Sequence, residues 1–197
     1  MFRFRFLGFA ALITADMTDW LFLKFDIPSE EYFFYQNWDK ALDLYMFTIA
    51  TFVALSFKDR LVKNTVVALY LLRAIGDIIF FTTGQQQILL FTPNFLETFL
   101  LFYLGYTKVT GKEMLVKSWK QVLLLLAVIA TTKVSHEYML HILRMQPWDL
   151  FDLGTALGLT GTIREYFNYI VMGGFVLHAP PLLLFLYYVI KNKRVKI

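Results

Sequence analysis

From Gln121 to Arg144 the chain runs QVLLLLAVIATTKVSHEYMLHILR. The first half is a lipid-compatible helical run of Leu, Val, Ile and Ala. The second half adds Lys133, His136, Glu137 and His141 without interrupting the helical pattern. A charge near the centre of a bilayer costs about 2.5–3.5 kcal/mol on insertion scales, so a spanning helix that carries several must turn them away from lipid. Lys133, Glu137 and His141 fall at i, i+4 and i+8, which puts them on one helical face, with His136 on its edge. That face predicts a polar site inside a bundle.

Composition points the same way. Of 197 residues, 58% are hydrophobic and only 17% charged, which takes the chain out of the ordinary soluble class and makes the lipid bilayer its first expected partner. Cysteine is absent, so disulfides, thiolate metal sites and thiol catalysis are excluded. The net charge of +4 does not imply nucleic acid, because the basic residues flank apolar runs and so read as topology. Phe6 to Ile13 is too short for a signal peptide core, and no A-x-A site follows it before Asp16.

Working outward from this helix, an all-α polytopic bundle with six spans is expected, at about 4–25, 40–57, 64–83, 87–107, 121–143 and 167–190. The count falls to five if the first segment, interrupted by Asp16 and Asp19, does not span. Gly84 to Gln86 reads as a tight turn, Pro93 as a kink in the fourth span, and Gly173-Gly174 with Pro180-Pro181 as breaks in the sixth. Basic residues test the layout. Arg3 and Arg5, Lys58 to Lys63, Lys108 to Lys120 and Lys191 to Lys196 contribute thirteen of the 19 at one set of ends, against Lys24, Lys40, Arg144 and Arg164 at the other. The positive-inside rule then places both termini in the cytoplasm, of a plasma or inner membrane. The two outer connections, Asp26 to Asp39 and Met145 to Tyr166, suit interfacial helices acting as anchors or as a lid, with Trp38 and Trp148 at headgroup depth.

The remaining embedded polar residues occur at similar depths. By helical rise, Arg73 lies about 14 Å and Asp77 about 20 Å from the inner edge, Asn94 about 10 Å and Glu97 about 15 Å from the outer edge, and His178 about 17 Å deep. Together with Lys133, His136, Glu137 and His141 they form a slab from the midplane outward. Two readings stay open. Arg73 could pair with Asp77 or Glu97, and Lys133 with Glu137, merely to specify helix packing. Alternatively these residues line an outward-opening pocket that binds or transports a small ion, a proton or a polar solute, with carbonyls freed by Pro93 at Leu89 and by Pro180-Pro181 at Val176 and Leu177. Asp39 and Asp43 form a further carboxylate pair at i, i+4, which with Lys40 is expected to mark the outer membrane edge.

Other chemistry is weaker. Were a metal present, Glu137, His141 and His178 would be its ligands, and the protein would be a membrane enzyme acting on a lipid or quinone at the outer leaflet. H-E-Y-M-L-H is not the H-E-x-x-H zinc motif, and no nucleotide-binding or serine-hydrolase fingerprint occurs, so no cofactor is named by the sequence. The third class is an accessory subunit whose aromatic spans contact partner membrane subunits.

Overall fold

The structure is a computed structural model that describes residues 5–23, 32–113, 115–139, 143, 152–168, 171 and 178–193. Among these residues the chain is all-helical, with no strand. The helices are α1 (Arg5–Leu23), α2 (Tyr32–Ala54), α3 (Arg60–Thr83), α4 (Ile88–Phe91), α5 (Phe95–Thr110), α6 (Trp119–Tyr138), α7 (Leu153–Ala156), α8 (Gly161–Asn168) and α9 (Ala179–Lys193). Two stretches, Arg60–Thr83 and Ile88–Thr110, are long and apolar enough to cross a membrane, and Arg5–Thr14 and Ala179–Lys191 are shorter apolar helices.

Local signals set several boundaries. Asp59 opens α3 by accepting the Leu61 and Val62 amides at 3.0 and 3.2 Å, which satisfies donors the first helical turn leaves orphaned. Gly84 closes α3 in the left-handed region at φ 69°, a conformation that costs a residue with a Cβ more than it costs glycine. The tight turn expected at Gly84 to Gln86 is therefore where the chain reverses. After it, Pro93 does more than kink the fourth span. Thr92 leaves helical geometry at φ −126°, and a new helix, α5, starts after Asn94, whose side chain accepts the Glu97 amide at 3.2 Å.

Of three further expectations, two need correction and one gains detail. Helix α2 begins at Tyr32, ahead of the start expected near Lys40: YFFYQNWD, expected as a connection, is helical and continuous with the apolar run. Pro180 and Pro181 mark the start of a helix, α9, just after a turn at His178. They occupy the first turn of α9, where a missing N–H leaves no bond unmade and the fixed φ suits helix entry. Met145 to Tyr166 is not one surface helix, since residues 152–168 fold as a short helical pair, α7 and α8, closed by Asn168. The Asn168 amide donates to Asp152 at 2.6 Å and its carbonyl oxygen accepts the Gly154 amide at 2.7 Å. Gly173-Gly174, Val176, Leu177, Trp148, His141 and the side chains of Asp16 and Asp19 lie outside the described residues.

Helix α5 is the hub, packed against α1, α3, α6 and α9, while α2 lies along α3. One end of the bundle is mostly apolar, with Ala50, Val53, Val62, Val66, Phe99, Leu100, Leu125 and Ile129 buried together. At that end Asp59 also accepts the Leu115 amide at 3.3 Å, the Tyr103 hydroxyl donates to the Glu113 carbonyl at 3.0 Å, and Lys58 pairs with Glu113 at 3.5 Å. These contacts tie the two connections that the sequence places in the cytoplasm.

Candidate functional site

At the other end, α2 and α3 face each other through charged side chains. Asp39, Lys40 and Asp43 come from one side of α2, and Arg73 and Asp77 from one side of α3, each set at the spacing of a helical turn. Arg73 is the centre. Its Nη2 lies 3.5 Å from Asp43, its Nε lies 3.2 Å from Asp77, and its Nη1 donates to the Thr92 carbonyl at 3.1 Å. Lys40 pairs with Asp39 at 2.5 Å and reaches Asp43 at 3.6 Å.

Side-chain exposure falls steadily through this group, from 20% at Asp39 and 18% at Lys40 to 6% at Asp43, 2% at Arg73 and 0% at Asp77. Helix α3 approaches the α4–α5 break closely only because residue 76 is glycine: a Cβ there would sit 1.8 Å from the Thr92 hydroxyl. That approach puts the Thr92 carbonyl within reach of Arg73. The carbonyl engaged at the break is thus Thr92, where the sequence pointed to Leu89, and a guanidinium of the protein itself holds it.

The second part of the site joins α5 to α6. Lys133 Nζ donates to Glu97 Oε2 at 2.8 Å, and the Asn94 amide donates to the same oxygen at 3.1 Å. Asn94 therefore caps α5 and orients its first acidic residue at once. The expected pairing of Lys133 with Glu137 on its own helix gives way to this contact across helices, and Arg73 pairs with Asp77 and Asp43, not with Glu97. A lysine side chain is long enough to leave its own face, and an inter-helix carboxylate presented by a helix N-terminus is the better partner.

The two parts adjoin. Glu137, half-buried on α6, lies within electrostatic reach of Arg73 and Asp77, and Glu97 within reach of Asp43. His136, also half-buried, and His178, in the turn before α9, lie within reach of Glu97 and of each other. Of the nine residues nominated by sequence, Arg73, Asp77, Asn94, Glu97, Lys133, His136, Glu137 and His178 share this layer, and His141 lies outside the described residues. No three His or carboxylate side chains among the described residues are grouped as metal ligands.

Asp43 and Lys40 are residues that the sequence alone does not bring to Arg73. They are expected at a membrane edge, and the longer α2 carries Asp43 into the bundle, 4% exposed, against Arg73. Their signal was present as D-K-x-x-D at helical spacing, but it could be used only once the start of α2 was known.

Two features define what the layer can do. The α2–α3 group holds three carboxylates, Asp39, Asp43 and Asp77, against two fixed cations, Lys40 and Arg73. Asp77, the most buried of them, receives no hydrogen bond on either oxygen among the described residues. A buried ionised carboxylate normally collects several donors, and this one has none among the described residues. No protein-family model, curated protein or solved structure matches the chain.

Proposed function

We propose that the protein is an integral membrane helix bundle whose interhelical charge layer binds or carries a small cation, down to the size of a proton. In this reading six segments span, both termini are cytoplasmic and the layer lies in the outer half. The reading is supported by an inverted polarity. On α3, Arg73 and Asp77 are buried while Leu71, Leu72, Ile75 and Ile78 face outward, 36–56% exposed. Phe52 and Tyr45 on α2, Leu123 and Leu124 on α6, and Leu183 and Tyr187 on α9 are likewise exposed. Such a surface suits acyl chains, and an interior ion layer inside it follows the rule that intramembrane charges face the bundle interior.

The observation that carries the functional part is the surplus carboxylate among buried pairs. In a low-dielectric interior an uncompensated negative charge is costly, and a cation or proton entering the layer removes that cost. An anionic solute fits less well, because Arg73 is already shared by two carboxylates and a carbonyl.

Flux into liposomes containing the purified protein tests the reading, with a pH-sensitive dye for protons and radiolabelled monovalent cations in parallel. Glu97→Gln keeps the shape of the Asn94–Glu97–Lys133 contact and removes one charge. It is expected to lower flux about tenfold or more, the equivalent of about 1.4 kcal/mol. Wild-type flux in that variant would sink the proposal.

An accessory-subunit reading is favoured by one observation, the close Lys133–Glu97 pair, which needs no ligand to be satisfied. It predicts no flux from the isolated protein and a partner subunit retained at fixed stoichiometry through purification.

A further inference from the structure

We infer that the ligand of the layer is a proton and that Asp77 is the group that holds it, with Arg73 passing the change of charge to the α4–α5 break. This deepens the reading above and rests on it. The charged groups within electrostatic reach of Asp77 are Arg73 on its own helix, Asp43 and Lys40 on α2, and Glu137 on α6. Asp43 is flanked by two cations, Lys40 at 3.6 Å and Arg73 at 3.5 Å. Asp77 has one, at 3.2 Å, and that one is shared. Among the described residues its oxygens accept no hydrogen bond, so an ionised form is compensated by charge alone, from Arg73 in contact and Lys40 farther off.

A metal cation at Asp77 would meet the guanidinium 3.2 Å away, and among the described residues no group of three His or carboxylate side chains converges to ligate it. A proton needs no coordination shell. It enters from the aqueous side, bonds to one Asp77 oxygen and leaves the α2–α3 group, Asp39, Lys40, Asp43 and Arg73, as two cations against two anions, with Glu137 of α6 beside it. The row of falling exposure from Asp39 to Asp77 is the entry route, with carboxylates a helical turn apart on α2.

Arg73 makes the site more than a sink. When Asp77 is neutral, the guanidinium is drawn wholly to Asp43 and to the Thr92 carbonyl at the break. Thr92 is two residues before Asn94, which holds Glu97 against Lys133. Proton occupancy at Asp77 therefore bears on the second ion pair through a short covalent path, not through empty space.

Infrared spectroscopy of the full-length protein in lipid nanodiscs tests this without any transport readout. A protonated carboxylic acid absorbs apart from carboxylates, so wild type near neutral pH is expected to show an acid carbonyl band that shifts on labelling with ¹³C-aspartate. Asp77→Asn is expected to abolish the band and Asp43→Asn to retain it. A band that shifts only with ¹³C-glutamate, one that persists in Asp77→Asn, or none in wild type near neutral pH would each overturn the inference. The isotope result stands even if Asp77→Asn fails to fold. Flux with no aspartic acid band would retire Asp77 and leave the general proposal standing, whereas the band without flux would do the reverse.

Discussion

Two buried aspartates, one at each end of the bundle, are treated in opposite ways. Asp59, 6% exposed, accepts three backbone amides, from Leu61, Val62 and Leu115, and closes the apolar end. Asp77, 0% exposed, accepts none among the described residues and faces a guanidinium it must share. Around Asp59 the neighbours are Val, Leu, Phe and Tyr packed to near-zero exposure, and the carboxylate serves the backbone. Around Asp77 the neighbours are charges, and the backbone, through Thr92, serves the side chains. One end is built to stay put. The other is held by ion pairs, and on the proposed reading their balance depends on protonation or ion occupancy.

The sharpest way to break this contrast is at Arg73. Arg73→Met leaves Asp43 and Asp77 with only Lys40 between them, and removing one partner of a buried pair costs about 3–5 kcal/mol. Stability to denaturing detergent should fall by that much in Arg73→Met and largely return in Arg73→Met with Asp43→Asn, where a cation and a carboxylate leave together. A double variant as unstable as the single would mean that shape at residue 73, not charge, holds the layer.

Asp59→Ala, at the quiet end, should cost less, about 1–2 kcal/mol for the lost cap. Because Asp59 lies away from the charge layer, proton or cation flux per folded molecule should be unchanged. A flux defect as large as that of Glu97→Gln would erase the distinction between the two ends.

The smallest effect lies in the α7–α8 pair. Asp152 is held down to about pKa 2, from an ordinary 3.8, by hydrogen bonds from the Thr155 hydroxyl, the Thr155 amide and the Asn168 amide. A depressed carboxylate contributes stability that is complete above its ordinary pKa and lost as pH falls through the folded value. The Thr155 amide resonance in detergent micelles should therefore titrate with a midpoint near 2. A midpoint near 4 would show that these bonds do not persist.

How much of this was legible beforehand can be followed residue by residue. The turn at Gly84 was visible because left-handed backbone selects glycine, and the discontinuity at Pro93 because proline lacks the N–H a helix needs. That Arg73, Asp77, Glu97 and Lys133 share one level of the bundle was readable from rise per residue along each helix. The level of Asp43 was not, because a start of α2 near Lys40 hid it, and the helical run Tyr32–Asp39 is too polar and aromatic to read as the beginning of a span.

The sequence by itself determined that the chain is all-helical, which faces of α3 and α6 carry charge, and that those charges sit at similar depth. Each of these depends on periodicity, composition or backbone sterics within one segment, and such forces act over a few residues. Only the tertiary structure decided who meets whom: Lys133 with Glu97, Arg73 with Asp43 and the Thr92 carbonyl, and Asp77 with no hydrogen-bond donor among the described residues. Partner choice depends on how far each helix is rotated and offset against its neighbours. Those quantities are set by packing at contacts such as Gly76 on Thr92, between residues 16 positions apart in the chain, and no local pattern encodes them.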